Sequence, residues 1–138
     1  MPIYEVKAKA GTVSPEARAK LVDAITTIHT EETNAPAEFV NVLFHEFAAD
    51  SMYVAGVPSN PVVVHGQVRA GRPEHVRAAI MQRINDACLE ATGADPMSVL
   101  VIVEDVPAKW AMEAGHVLPE PNAAEEQAWF AAVRARPA

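Results

Sequence analysis

The run RPEHVRAAIMQRINDACLEAT at residues 72–92 decides the fold, because it is close to a second writing of SPEARAKLVDAITTIHTEET at 14–33. Each carries a Pro-Glu helix start, Pro15-Glu16 in one and Pro73-Glu74 in the other. Proline is suited to the first helical position, where its missing N–H would have had no helical acceptor. Apolar residues then recur at helical spacing: Ala17, Leu21, Ala24, Ile25 and Ile28 in the first run, Val76, Ala79, Ile80, Ile84, Ala87 and Ala91 in the second. Gly93 supplies a stop. Two amphipathic helices are predicted.

The repetition extends outward on both sides. PIYEV at 2–6 and PVVVH at 61–65 both read as short strands that begin at proline, and VNVLFHEFAADSMYVAG at 40–56 matches VLVIVEDVPAKWAMEAG at 99–115, ending on Gly56 and Gly115. The offset stays near 59 residues throughout. Each unit is strand, helix, strand, with a helix long enough to cross between parallel strands. The expected architecture is α/β: a single domain with βαβ repeats at 2–56 and 61–115, a four-stranded sheet carrying two helices on one face, and a C-terminal arm at 116–138. VVV at 62–64 and VLVIV at 99–103 are apolar without alternation, which predicts burial on both faces. The sequence holds no third layer, so other subunits are the expected cover. The arm is first proline-rich and then helical around Trp129, Phe130 and Val133.

Composition narrows the function classes. The chain has 138 residues, half of them hydrophobic, enough for one core without metal or disulfide staples. No apolar run approaches the ~20 residues of a membrane span, and the start lacks a secretory pattern, so a cytoplasmic protein is expected. Eleven basic against eighteen acidic side chains give −7, which argues against a nucleic-acid or anionic-membrane surface. The five histidines lack HExxH-type spacing and Cys88 stands alone, so no metal site is expected. Cys88 falls on the apolar side of its helix, as a buried thiol would.

Differences between the copies mark residues that the repeated fold does not require. Ser14 precedes Pro15 as a good N-cap, whereas the matching position before Pro73 is Arg72, whose guanidinium cannot accept helix N–H groups. Arg69 lies three residues before it, across Gly71, so the two guanidinium groups are either solvated or convergent on one small anion, for which a carboxylate is well matched. His29 corresponds to Ala87 in the sister helix, and Glu113 to Val54 in the first copy. His29 is either a half-buried histidine with a partner or a site residue. Glu113 is either a surface acid or one pressed against apolar neighbours, which would raise its pKa and suit it to act as a base. Pro2 is either a tolerated first strand residue or, once Met1 is removed, a secondary amine titrating near neutrality.

Taken in order, the amino-terminal prolyl strand, the tandem units and the segments AITTIH, HGQVRAGR and VPAKWAMEAG resemble the tautomerase superfamily, specifically its cis-3-chloroacrylic acid dehalogenase-like branch. The likeness runs to Val117-Leu118-Pro119. It implies a homotrimer of cofactor-independent enzymes in which Pro2 matches the catalytic proline, His29 the histidine, Arg69 and Arg72 the carboxylate-binding pair, and Glu113 the water-activating glutamate. A tyrosine of the family's dehalogenases is replaced here by Ile102, which can neither donate nor accept a hydrogen bond. The leading expectation is therefore tautomerisation of a small 2-oxo or enol carboxylic acid, which needs no activated water. Dehalogenation or hydration of a small unsaturated acid is the alternative, and a trimeric binding protein without chemistry is a third reading. Full retention of Met1 would favour the last.

Overall fold

The computed structural model describes residues 1–135, so 136–138 of the expected arm lie outside the described residues. In chain order the elements are β1 (Ile3–Lys9), α1 (Pro15–Thr33), β2 (Asn41–Phe47), β3 (Tyr53–Val54), β4 (Val57–Pro58), β5 (Val62–Arg69), α2 (Glu74–Thr92), β6 (Val99–Val106), β7 (Met112–Glu113), β8 (His116–Val117) and α3 (Ala123–Arg134). β3 with β4, and β7 with β8, form small hairpins. Both turn on Ala-Gly pairs with positive φ, Ala55-Gly56 and Ala114-Gly115, the backbone that matches strand twist in a two-residue turn.

The main sheet has the order β2-β1-β5-β6. β1 pairs parallel with β2, β5 parallel with β6, and the two units join through antiparallel β1 and β5, with Ile3 opposite Gln67 and Val6 opposite Val64. Side chains alternate across the pleat. Tyr4, Val6 and Ala8 of β1 and Val62, Val64 and Val68 of β5 are buried beneath the helices. Leu21, Ile25 and Ile28 of α1 and Ile80, Ile84 and Cys88 of α2 meet them, as the helical spacing requires. Each fully buried Leu or Ile of this kind contributes roughly 1.5–3 kcal/mol. The helices stop at left-handed residues, Asn34 and Gly93.

One expectation changes. Pro15 is the first residue of α1 and Ser14 caps it, accepting from the Ala17 N–H at 3.1 Å. α2 instead begins at Glu74, with extended Pro73 at the cap position, so Arg72 stands one residue outside it. The cap lacks a side-chain acceptor, and the Val76 N–H turns back to the Pro73 carbonyl. VLVIV is covered on one face only within a single chain, which leaves the other for the cover expected from other subunits: Val103 is buried, but Leu100 and Ile102 are 51% and 43% exposed. They share an uncovered sheet face with Leu43 and with polar residues including Glu5, His65 and Glu104.

Candidate active site

The antiparallel centre of the sheet brings both units to one end. Because Ile3 pairs with Gln67, the start of β1 lies beside the end of β5, and parallel β6 finishes there too, with Val106 opposite Arg69. The chain after β6 carries the β7–β8 hairpin to the amino terminus. α1 runs back over β1 and delivers His29 to the same end.

His29 is buried, at 2% exposure, and its Nδ1 shares a hydrogen bond of 2.8 Å with the Tyr4 hydroxyl. The rings meet edge to face. Tyr4 fits because the residue opposite it in β5 is Gly66, where a Cβ would come within 2.5 Å of the tyrosine ring. A glycine inside a strand often marks such a close approach. Burial lowers the His29 pKa to about 3, helped by the positive charges of Arg72, the amino terminus and Arg69, so the imidazole is neutral at physiological pH. The Tyr4 phenol is pushed up by the same burial and stays protonated.

Pro2 is fully buried. Its carbonyl accepts from the backbone N–H of Asn41 at 3.1 Å and from the Asn41 side-chain amide at 3.0 Å, which fixes the first turn of chain against β2. The Met1 ammonium, one residue before it, is ion-paired with the Glu113 carboxylate. Glu113 is thus held by an amine rather than pressed against apolar groups alone. Pro2 and Glu113 border one depression with Asn41 and Leu118.

Beyond Met1 and Glu113 lies a narrow cavity of about 40 Å³, room for two or three waters at roughly 10–15 Å³ each. Arg69 and Glu126 border it, and Phe39, Leu118, Trp129 and Phe130 supply an apolar wall. Phe39, Trp129 and Phe130 pack on one another with centroids 5.4–5.6 Å apart, which docks α3 beside the cavity. The Trp129 indole N–H is buried with no acceptor among the described residues. The Arg69 guanidinium donates to the Pro119 carbonyl at 2.7 Å and to Glu126 at 2.5 Å. Arg72 donates to the Arg69 carbonyl at 3.3 Å. Burial, then the charge of Arg69, lowers the Arg72 pKa, while Glu126 opposes that shift.

The family described as "Putative oxalocrotonate tautomerase enzyme" (Tautomerase_3) matches residues 1–134. The chain belongs to this tautomerase family. Its fold is shared by native Ps01740, 47% identical, with a TM-score of 0.80 over 80% of this chain and 99% of that one. It is also similar to N1, a member of the cis-3-chloroacrylic acid dehalogenase family, 30% identical, with a TM-score of 0.87 over 98% and 92% of the two chains. A fused 4-OT symmetric trimer is 26% identical, with a TM-score of 0.77 over 84% and 94%. No curated protein matches the sequence.

In this tautomerase-family chain the residues singled out from the sequence fall at one end of the sheet, with Arg69 and Glu113 on one cavity and Arg72 behind Arg69 on an adjoining one. His29 borders neither cavity and is buried beside Tyr4. Ile102 does not join them: it is on the uncovered sheet face opposite His65, and it borders neither cavity. Sequence reasoning missed Tyr4, Glu126 and Trp129. Gly66 within a strand was the available signal for Tyr4, whereas nothing local distinguishes Glu126 from any acid in a helix's first turn. Among the described residues no group of three or more His, Cys, Asp or Glu could hold a metal ion, and no helix is long and apolar enough to cross a membrane.

Proposed function

We propose that the chain, once shortened to begin at Pro2, is a cofactor-independent tautomerase of small 2-oxo or enol carboxylic acids, working as a homotrimer. The observation that carries this reading is the Met1 ammonium against Glu113 at the mouth of a cavity that also holds Arg69. Removing Met1 opens the space that its backbone and side chain take, and leaves the Pro2 nitrogen as the amine at that mouth. In the forward step the neutral Pro2 nitrogen takes the proton of the enol hydroxyl, the enol electrons form the C=O bond, and the protonated amine returns a proton to the adjacent carbon. Arg72 and Arg69 hold the carboxylate. Neutral His29, fixed by Tyr4, contributes a hydrogen bond rather than a positive charge. Glu113 steadies the proton on the amine between the two transfers.

The trimer is supported by the uncovered sheet face, with Leu43, Leu100 and Ile102 exposed in a single chain, and by the trimeric assembly of the fused 4-OT relative. Dehalogenation or hydration of an unsaturated acid is the second reading, favoured by the carboxylate of Glu113 beside the amine. The uncovered position of Ile102 gives it no partner for water within the chain.

Intact-mass measurement followed by alkylation of the Pro2 amine tests the proposal. Met1 is expected to be absent, and blocking the amine is expected to remove at least about 100-fold of enol–keto turnover while the assembly persists. Complete retention of Met1, or turnover unaffected by a blocked amine, would overturn it. Release of halide from a cis-3-haloacrylate without any enol–keto activity would instead establish the second reading.

A further inference from the structure

We propose that Glu126 is a specificity-determining residue that neutralises Arg69 and thereby restricts the site to substrates with a single carboxylate. This rests on the carboxylate-binding reading given above. Glu126 is in the first turn of α3, where an acid is welcome to the helix dipole, yet its neighbour already serves that turn: the Glu125 N–H is capped by Asn122 at 2.9 Å, and the Glu125 carboxylate accepts from the Glu120 N–H at 2.9 Å. Glu126 points elsewhere, to an arginine side chain that is only 11% exposed. Its ion pair and the Pro119 carbonyl each engage one terminal nitrogen of Arg69, leaving a second N–H on each for a ligand.

The charges near the cavity then divide unequally. Arg69 is balanced by Glu126, and the nearby Asp105 is engaged by Arg77 at 2.8 Å. Arg72, behind Arg69 on the adjoining cavity, donates to a backbone carbonyl at 3.3 Å and feels the charges of Glu126 and Asp105 without an ion pair of its own among the described residues. Arg69, Arg72 and Glu126 together carry one net positive charge, which matches one carboxylate. Apart from the terminal amine, which Glu113 balances, the remaining wall, formed by Phe39, Leu118, Trp129 and Phe130, offers no further cation. A diacid would leave its second carboxylate desolvated against that wall, or facing Glu126, and both arrangements are unfavourable.

The test uses the Met1-free protein and two acids of equal chain length, 2-oxopentanoate and 2-oxopentanedioate, with binding followed by titration calorimetry. The unchanged protein should bind the monoacid at least about tenfold more tightly. Glu126→Gln keeps an oxygen for Arg69 but removes the charge, and should shrink that preference by about tenfold through a gain for the diacid. Glu126→Asp should restore it. An equal gain for both acids would show Glu126 to be a competitor that any carboxylate displaces. An equal loss would show it to be a structural latch, and an unchanged ratio would show it to be irrelevant; each of these results overturns the proposal. Binding does not require proton transfer, so the expected selectivity without turnover would leave Glu126 assigned and sink the tautomerase reading. Normal turnover with unchanged selectivity would do the reverse.

Discussion

A neutral imidazole enclosed with a phenol gives His29 a pH signature that a surface histidine would lack. The unfolded chain takes up a proton near the ordinary value of 6.5, but the folded chain does so only near 3. Between these limits the unfolded state binds more protons, so stability falls as pH falls, by at most about 1.4 kcal/mol per pH unit from this residue. Below about pH 3 both states are protonated and this contribution levels off. Urea unfolding of the natural protein and of His29→Gln, followed from pH 7 to 3, should differ by that slope, and parallel curves would show that His29 titrates normally. The partner behind this behaviour, Tyr4, reads in the sequence as an ordinary strand aromatic. Its role depends on the β1/β5 register, which places it opposite the one glycine in β5.

The two long helices differ most at their starts, and the difference separates capping from anion binding. Pro73 rather than Arg72 is at the cap of α2, so Arg72→Ser should bring no capping stability, although it should weaken carboxylate binding. Pro73→Ser supplies the missing acceptor at the cap itself and should raise stability by about 0.5–2 kcal/mol. Thermal unfolding of the two variants checks this, and a gain confined to Arg72→Ser would return the cap to residue 72. The helices and strands were legible because periodicity and the prolines near the helix starts are local signals written twice, although the second start lies one residue later than its sequence suggests. The partnership of α3 with the site was not, because Trp129 and Phe130 announce only an apolar stripe. Their docking depends on Phe39, about 90 residues earlier in the chain and brought near only by folding.

At the scale of the whole molecule, the sheet is covered on one side by α1 and α2 and bare on the other. Leu43, Leu100 and Ile102 there are interspersed with Glu5, His65 and Glu104, and His65 pairs with Glu104 on the same face. If copies of the chain bury this face, sedimentation should give the mass of three chains, and the melting temperature should rise with concentration. Leu100→Asp should then yield monomers with a lower melting temperature that is independent of concentration. A natural protein sedimenting as a monomer would refute the assembly. The unalternating run at 99–103 pointed to a second cover, but a single chain could not reveal what supplies it.

The antiparallel union of β1 with β5 also sets Pro2 and Pro61 at opposite ends of the sheet. Pro61 is acylated by Asn60, and an amide nitrogen, its lone pair delocalised into the carbonyl, is no longer a base. If Met1 is removed as proposed, Pro2 becomes a free amine while Pro61 stays an amide, so the peptide bond itself sets the two related ends apart. The Pro61 end carries Val54 and Ala87 where the other copy's pattern places Glu113 and His29. The proposed site draws Pro2 and His29 from one copy and Arg69, Arg72 and Glu113 from the other. Fusion thus halves the number of amines per strand pair, and in exchange lets a single pocket be furnished by two independently varying halves.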